Sequence, residues 1–193
     1  MELKHVYILL FDGYSDWEIS YLTPELFKDK QPLLKTFTIN GTPIISMGGL
    51  KITPDLSLEQ VKSDEISVLV LPGGTAWEQN KIKGLDQLIE DLNSAGKTIA
   101  AICAATTYLG EKGYLDNVKH TSNDLNYLKT IAPHYKGEEN YKSAMAVSDQ
   151  NMITANGIAP IEFAAEIFRK IKLHSDTDIE KWFQLFKNGI WAG

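Results

Sequence analysis

Thr98-Ile99-Ala100-Ala101-Ile102 runs without a break into Cys103 and then into Ala104-Ala105-Thr106-Thr107. The first five residues form a short, almost wholly apolar run with branched members, the pattern of a strand buried on both faces. The residues after Cys103 start small and read as a helix to Glu111, with Gly113 as its stop. A strand turning at once into a helix, with a reactive side chain at the corner, is the layout of a nucleophile elbow, where a sharp turn lifts one atom above the sheet. Small neighbours are needed there because strand and helix pack closely.

Further strands lie on either side of this unit. Val6 to Phe11 is a continuous apolar run ended by Asp12-Gly13, Leu34 to Ile39 is closed by Asn40-Gly41, and Ile66 to Leu71 ends at Pro72-Gly73-Gly74. Small hairpins are expected at Ile44–Ser46 with Leu50–Ile52, and at Ala144–Ser148 with Met152–Ala155. Helices are expected from Ser15 through Phe27 (bent by Pro24), and over Ile82–Ala95, Asn123–Ile131, Pro160–Lys172 and Asp178–Lys187. Strands alternating with helices predict an α/β three-layer sandwich, a flavodoxin-like, mostly parallel sheet with helices on both faces. Sites in such folds gather at the carboxyl ends of strands. Asp12-Gly13, Pro72-Gly73-Gly74, Cys103 and Asn156-Gly157 should therefore share one rim.

The 193 residues suit one domain, a core over about 4–172 with a C-terminal helical extension over 173–193. A net charge of −6 and the lack of any basic run argue against nucleic acid and against an anionic membrane surface. One cysteine permits no intrachain disulfide, which fits a reducing compartment. Val6–Phe11 is too short for a signal segment, and no apolar run approaches the ~18 residues that span a bilayer. A cytoplasmic location is the expectation.

A lone cysteine most often serves as a small buried hydrophobe. At this corner, however, the positive end of the following helix favours a thiolate. The Ala104 amide would point at an oxyanion formed beside the sulfur, and Gly73-Gly74 would supply a second donor. Pro-Gly-Gly is equally a plain turn. Glu18 also carries two readings: Ser15-x-x-Glu18 fits a capping box, or the carboxyl leans over the rim onto the Cys103 sulfur with a raised pKa.

The hexapeptide Ala100-Ala101-Ile102-Cys103-Ala104-Ala105 closely resembles the cysteine elbow of the ThiJ/PfpI family. Phe11-Asp12-Gly13 followed by Glu18 resembles that family's glutamate loop. Leu71-Pro72-Gly73-Gly74 resembles its oxyanion strand end, and Asn156-Gly157-Ile158-Ala159-Pro160-Ile161-Glu162-Phe163-Ala164 the lead into its last core helix. The resemblance implies Cys103 as nucleophile, Glu18 as its carboxyl partner, Gly74 and Ala104 as oxyanion donors, and a homodimer. It implies a cofactor-free, cysteine-dependent enzyme for small carbonyl or amide substrates, of glyoxalase, deglycase or amidase type. The alternative is a non-catalytic redox sensor or stress chaperone built on an oxidisable Cys103. Two departures matter: Ala104 stands where protease members carry a histidine, and Asn156-Gly157-Ile158 lacks the late histidine of amidotransferase triads. His120 is the available base, or else a surface or capping residue. Trp77 is a pocket wall or a packing residue. No phosphate-binding glycine loop and no metal-ligand spacing appear, so neither a nucleotide nor a metal cofactor is expected.

Overall fold

The computed structural model describes residues 5–28 and 33–191; the expected start of the core at about residue 4 and the last two residues of the expected C-terminal extension lie outside the described residues. In chain order the elements are β1 (His5–Leu9), a 3-10 turn (Asp16–Ile19), α1 (Leu22–Phe27), β2 (Leu34–Thr38), β3 (Ile44–Ile45), β4 (Lys51–Ile52), β5 (Leu56–Ser57), β6 (Ile66–Leu71) and α2 (Thr75–Glu78). They continue with α3 (Asp86–Ser94), β7 (Thr98–Ile102), α4 (Ala105–Glu111), α5 (Leu125–Ile131), β8 (Ala146–Asp149), β9 (Met152–Ala155), α6 (Pro160–Ile171) and α7 (Asp176–Asn188).

Strands formed where the chain is apolar on both alternations, because only a covered sheet can hide both sets of side chains. Seven of them make one sheet in the order β5-β2-β1-β6-β7-β9-β8. All pairings are parallel except β8 with β9, and β3 and β4 form a separate antiparallel hairpin. Tyr7, Ile8, Leu69, Val70, Ile99, Ala100, Ala101 and Ile153 are wholly buried in the sheet centre. From β1 the chain moves one way to β2 and then returns to place β6 on β1's other side. The strand order thus reverses between β1 and β6, and a crevice opens at their carboxyl ends. The three-layer α/β reading holds.

Three local expectations are corrected. The helix expected from Ser15 to Phe27 is two pieces, the 3-10 turn and α1, with Pro24 in the first turn of α1, where its missing N–H costs nothing. The helix expected from Ile82 starts at Asp86 because Gly84, at φ +86°, breaks the backbone before it, although Ile82 and Leu85 remain buried. The edge strand β5 escaped the pattern reading because two residues give no periodicity; it pairs with Phe37 and Thr38 beside an Asp55 carboxylate that accepts from the Thr36 N–H and hydroxyl.

The C-terminal helix α7 is capped by Ser175, whose hydroxyl accepts from Asp178 N–H. Trp182 packs edge-on against Phe168 of α6 at 5.0 Å, and its indole N–H donates to Glu25 Oε1 at 3.1 Å. Lys187 pairs with Glu162 at 2.7 Å. Among the described residues no helix is long and apolar enough to cross a membrane.

Candidate active site

Cys103 follows β7 with φ +59°, a left-handed conformation that a non-glycine residue adopts at a cost of order 1–3 kcal/mol. The surroundings hold it there. Its N–H donates to Ala155 O at 3.0 Å, and its carbonyl accepts from Thr106 N–H at 3.1 Å and from the Thr106 hydroxyl at 2.6 Å. Ser122 Oγ lies 2.7 Å from that hydroxyl. Ala101, Ala104 and Ala105 are buried around the corner, as the tight strand-to-helix packing demands.

Glu18 comes to this corner from the 3-10 turn after β1. It is wholly buried, and Gly73 N–H donates to its Oε2 at 2.6 Å. A β-carbon on Gly73 would stand 2.7 Å from Cys103 Cβ and 2.8 Å from each Glu18 oxygen, so glycine is the residue that lets the three groups meet. The capping-box arrangement is not formed: the Ser15 side chain caps no N–H of the turn. Ser15 and Cys103 lie beside the Glu18 carboxyl, whose Oε2 is taken by Gly73 N–H while its buried Oε1 has no hydrogen-bond partner among the described residues.

Burial pushes the Glu18 carboxyl up to about 7, outweighing the pull of the Gly73 N–H and of the neighbouring Cys103 and Ser15 side chains. Burial, and then the Glu18 charge, push the Cys103 thiol up to about 11. Donation from Asn123 and from the Ala104 N–H pulls it down by less. This corrects the expectation of a thiol ionised by its helix start. The end of a seven-residue helix is outweighed by desolvation and by a carboxylate alongside.

Gly74 sits at φ +148°, where a β-carbon would meet the Phe11 ring at 2.8 Å and Gly13 O at 2.9 Å. Its N–H and that of Ala104 donate to no oxygen among the described residues. Asn123, from the segment before α5, donates through Nδ2 to Cys103 Sγ at 3.3 Å, and its Oδ1 accepts from Gly157 N–H at 2.9 Å. Gly157 itself passes so near that a β-carbon there would stand 2.8 Å from Sγ. Trp17, 46% exposed, donates its indole N–H to Gly157 O at 3.2 Å. The four loops at the carboxyl ends of β1, β6, β7 and β9 therefore do converge.

The family model for the DJ-1/PfpI family matches residues 4–170. The chain belongs to the DJ-1/PfpI family. It is 41% identical to an uncharacterized protease, YoaZ, of Bacillus subtilis, over 97% of this chain and 92% of the relative. A deglycase of Pyrococcus abyssi is 31% identical over 61% of this chain and 70% of its own length. The solved structure of a DJ-1 superfamily protein from Agrobacterium tumefaciens superposes with a TM-score of 0.88 at 35% identity, covering 96% of this chain and 98% of that one.

This DJ-1/PfpI chain does not bring His120 to the sulfur. His120 is wholly buried, with Nδ1 2.7 Å from Val118 O and Nε2 2.6 Å from the Tyr135 hydroxyl. Burial holds its pKa below the ordinary imidazole range. Its backbone forms a bridge with Tyr141, and this extended segment turns His120 toward the Tyr135 and Tyr141 rings. Asn123, three residues later, reaches Cys103 instead. The sequence reading makes Asn123 the first residue of a helix over Asn123–Ile131; α5 starts at Leu125 with Asp124 as its cap, which leaves Asn123 on the preceding segment. Of the two readings of Trp77, the packing one fits the structure. It is buried, donates to Pro72 O at 2.8 Å, packs edge-on against Phe11 and at a tilt against Tyr108, and lines a separate cleft of about 480 Å³ that Cys103 does not line. Among the described residues no group of three or more His, Cys, Asp or Glu is placed to hold a metal ion.

Proposed function

We propose that this chain is a cofactor-free, cysteine-dependent enzyme acting on small carbonyl compounds through Cys103 and Glu18. The supporting observation is the Glu18 carboxyl: buried, hydrogen-bonded by Gly73 N–H, and set beside the sulfur of a strained elbow with its pKa raised to about 7. Such a group exchanges protons at neutral pH. The thiol needs a base in contact with it, because it is not ionised beforehand.

With a 2-oxoaldehyde, Sγ bonds to the aldehyde carbon while the thiol proton passes to Glu18 and the π pair moves to oxygen. That oxygen would lie against the N–H groups of Gly74 and Ala104. It takes the proton from Glu18 to give a hemithioacetal. Glu18 then removes the C1 proton and returns it at C2. In the same rearrangement the C1 hydroxyl proton passes to the C2 oxygen, so the C2 carbonyl becomes a hydroxyl and the C1 hydroxyl becomes a thioester carbonyl. Water cleaves the thioester, releasing a 2-hydroxy acid and the free thiol. Aldehyde plus water gives acid, and no external oxidant or reductant is consumed.

Amide cleavage also asks for a proton on the leaving nitrogen. Asn123 cannot titrate and His120 is engaged elsewhere, so Glu18 alone would have to carry that proton as well, and carbonyl addition, which has no leaving group to protonate, has the better support. The redox-sensor reading has less, since it is the thiolate that attacks peroxide and the thiol is pushed up to about 11.

Purified protein is expected to convert methylglyoxal to lactate. Because the unprotonated Glu18 is the base, kcat/KM should rise with pH through about 7 and level off above it. Absence of lactate, or full turnover in Cys103→Ala, would overturn the proposal.

A further inference from the structure

We propose that Asn123 is a fixed N–H donor to the Cys103 sulfur, which leaves Glu18 as the one titratable group that serves the nucleophile. The proposal rests on the reading of Cys103 as nucleophile and adds the residue that orients and polarises it.

An amide side chain has one accepting and one donating end, and its neighbours decide which way round it sits. Gly157 N–H points at one end of Asn123 from 2.9 Å, and only the oxygen can receive it. The NH2 end must then face Sγ, at 3.3 Å. The main chain is held as well: Asn156 Nδ2 donates to Asn123 O at 2.9 Å, while Asn156 Oδ1 accepts from Ile158 N–H at 3.1 Å. Gly157 lies too near the sulfur to admit a side chain, so this clamp and the nucleophile share one wall. A donor fixed toward sulfur stabilises negative charge there, as the attack develops it, without adding a proton of its own to the balance.

The titratable groups facing the sulfur are Glu18, from the turn after β1, and Tyr127 of α5, whose hydroxyl is committed to Glu78 of α2 at 2.7 Å. The Tyr127 hydroxyl is pushed far above its ordinary range, first by burial and then by its bond to Glu78, and so holds its proton through the working pH. The donor that Asn123 presents does not change with pH.

The decisive variant is Asn123→Asp. A carboxylate oxygen still accepts from Gly157 N–H, so the clamp survives, and only the donor to Sγ is replaced, by a negative oxygen. Alkylation of Cys103 by iodoacetamide, followed by mass across pH 6–10 on the full chain, reads the sulfur directly. The Asp variant should alkylate about tenfold or more slowly at pH 8, with its rising rate profile displaced to higher pH across the range, because a hydrogen bond to a charged group is lost and a like charge gained. Asn123→Ala, which removes the donor without adding charge, should show the same direction by a smaller factor, and it stands in if the Asp variant does not fold. Wild-type alkylation profiles in the folded variants would overturn the proposal. Methylglyoxal turnover is measured alongside. A shifted alkylation profile with no turnover in the wild type sinks the proposed reaction and leaves the role of Asn123 standing. Unshifted profiles with wild-type turnover do the reverse.

Discussion

Replacing Glu18 with glutamine should slow methylglyoxal consumption by about 10²- to 10⁴-fold, the usual contribution of a positioned acid–base group, while making the fold more stable at neutral pH. Glutamine keeps an oxygen for Gly73 N–H and offers an NH2 to the sulfur, but it can neither take the thiol proton nor carry one between C1 and C2. The rise of kcat/KM through about 7 should vanish with it. The stability effect follows from the same shift. In the folded chain Glu18 ionises near 7 rather than at its ordinary 4.5, so between these values the unfolded chain has already released a proton that the folded chain retains. Wild-type stability therefore falls as pH rises through this window and stays reduced above it. At about 1.4 kcal/mol per unit, the penalty removed by glutamine is at most about 3.5 kcal/mol above pH 7 and close to zero below pH 4.5. Denaturant midpoints of both proteins at pH 4.5 and pH 8 give the comparison. A variant less stable than wild type at both pH values, or one retaining the pH-dependent rise in rate, would contradict this account of Glu18.

Gly73→Ala should nearly silence the site by geometry alone. The added methyl would stand 2.7 Å from Cys103 Cβ and 2.8 Å from both Glu18 oxygens, distances that require something to move. The backbone of Gly73 is fixed by its N–H bond to Glu18 and by its carbonyl, which accepts from Ser15 N–H at 2.9 Å. The Glu18 carboxyl must therefore yield, and it loses either the Gly73 bond or the sulfur. Displacing a reacting group by an ångström costs on the order of 100-fold in rate, and overpacking a filled interior costs about 1–3 kcal/mol of stability. The expected signature is a large fall in kcat with a lowered unfolding midpoint. The Cys103 alkylation profile should also move to lower pH as the Glu18 charge withdraws. Wild-type kcat in a folded Gly73→Ala protein would show that the convergence of Glu18 and Cys103 at this glycine is not needed for the reaction.

Much of this arrangement is legible in the chain itself. Ile66–Leu71 and Thr98–Ile102 match β6 and β7 to the residue, because strands buried on both faces leave an unbroken apolar run with sharp polar or glycine ends. The corner at Cys103 is legible for a related reason: small residues after a buried strand have few other uses. The partner of Glu18 is not legible. Ser15-x-x-Glu18 suits a capping box and a buried carboxyl equally, and the bond that decides between them comes from Gly73, 55 residues away. Asn123 and His120 fall on one short segment, and residue type favours the histidine. Which of them reaches the sulfur depends on how that segment is pinned, with His120 bridged to Tyr141 and Asn123 clamped to Gly157.

From its order of residues alone, this chain commits to a parallel sheet with a cysteine at the end of a central strand, since burial on two faces and a tight corner are local demands that local composition must meet. Folding in three dimensions decides whether that sulfur carries a charge and which groups touch it. Those answers are sums over desolvation and over neighbours drawn from the ends of several strands, and no stretch of neighbouring residues contains them.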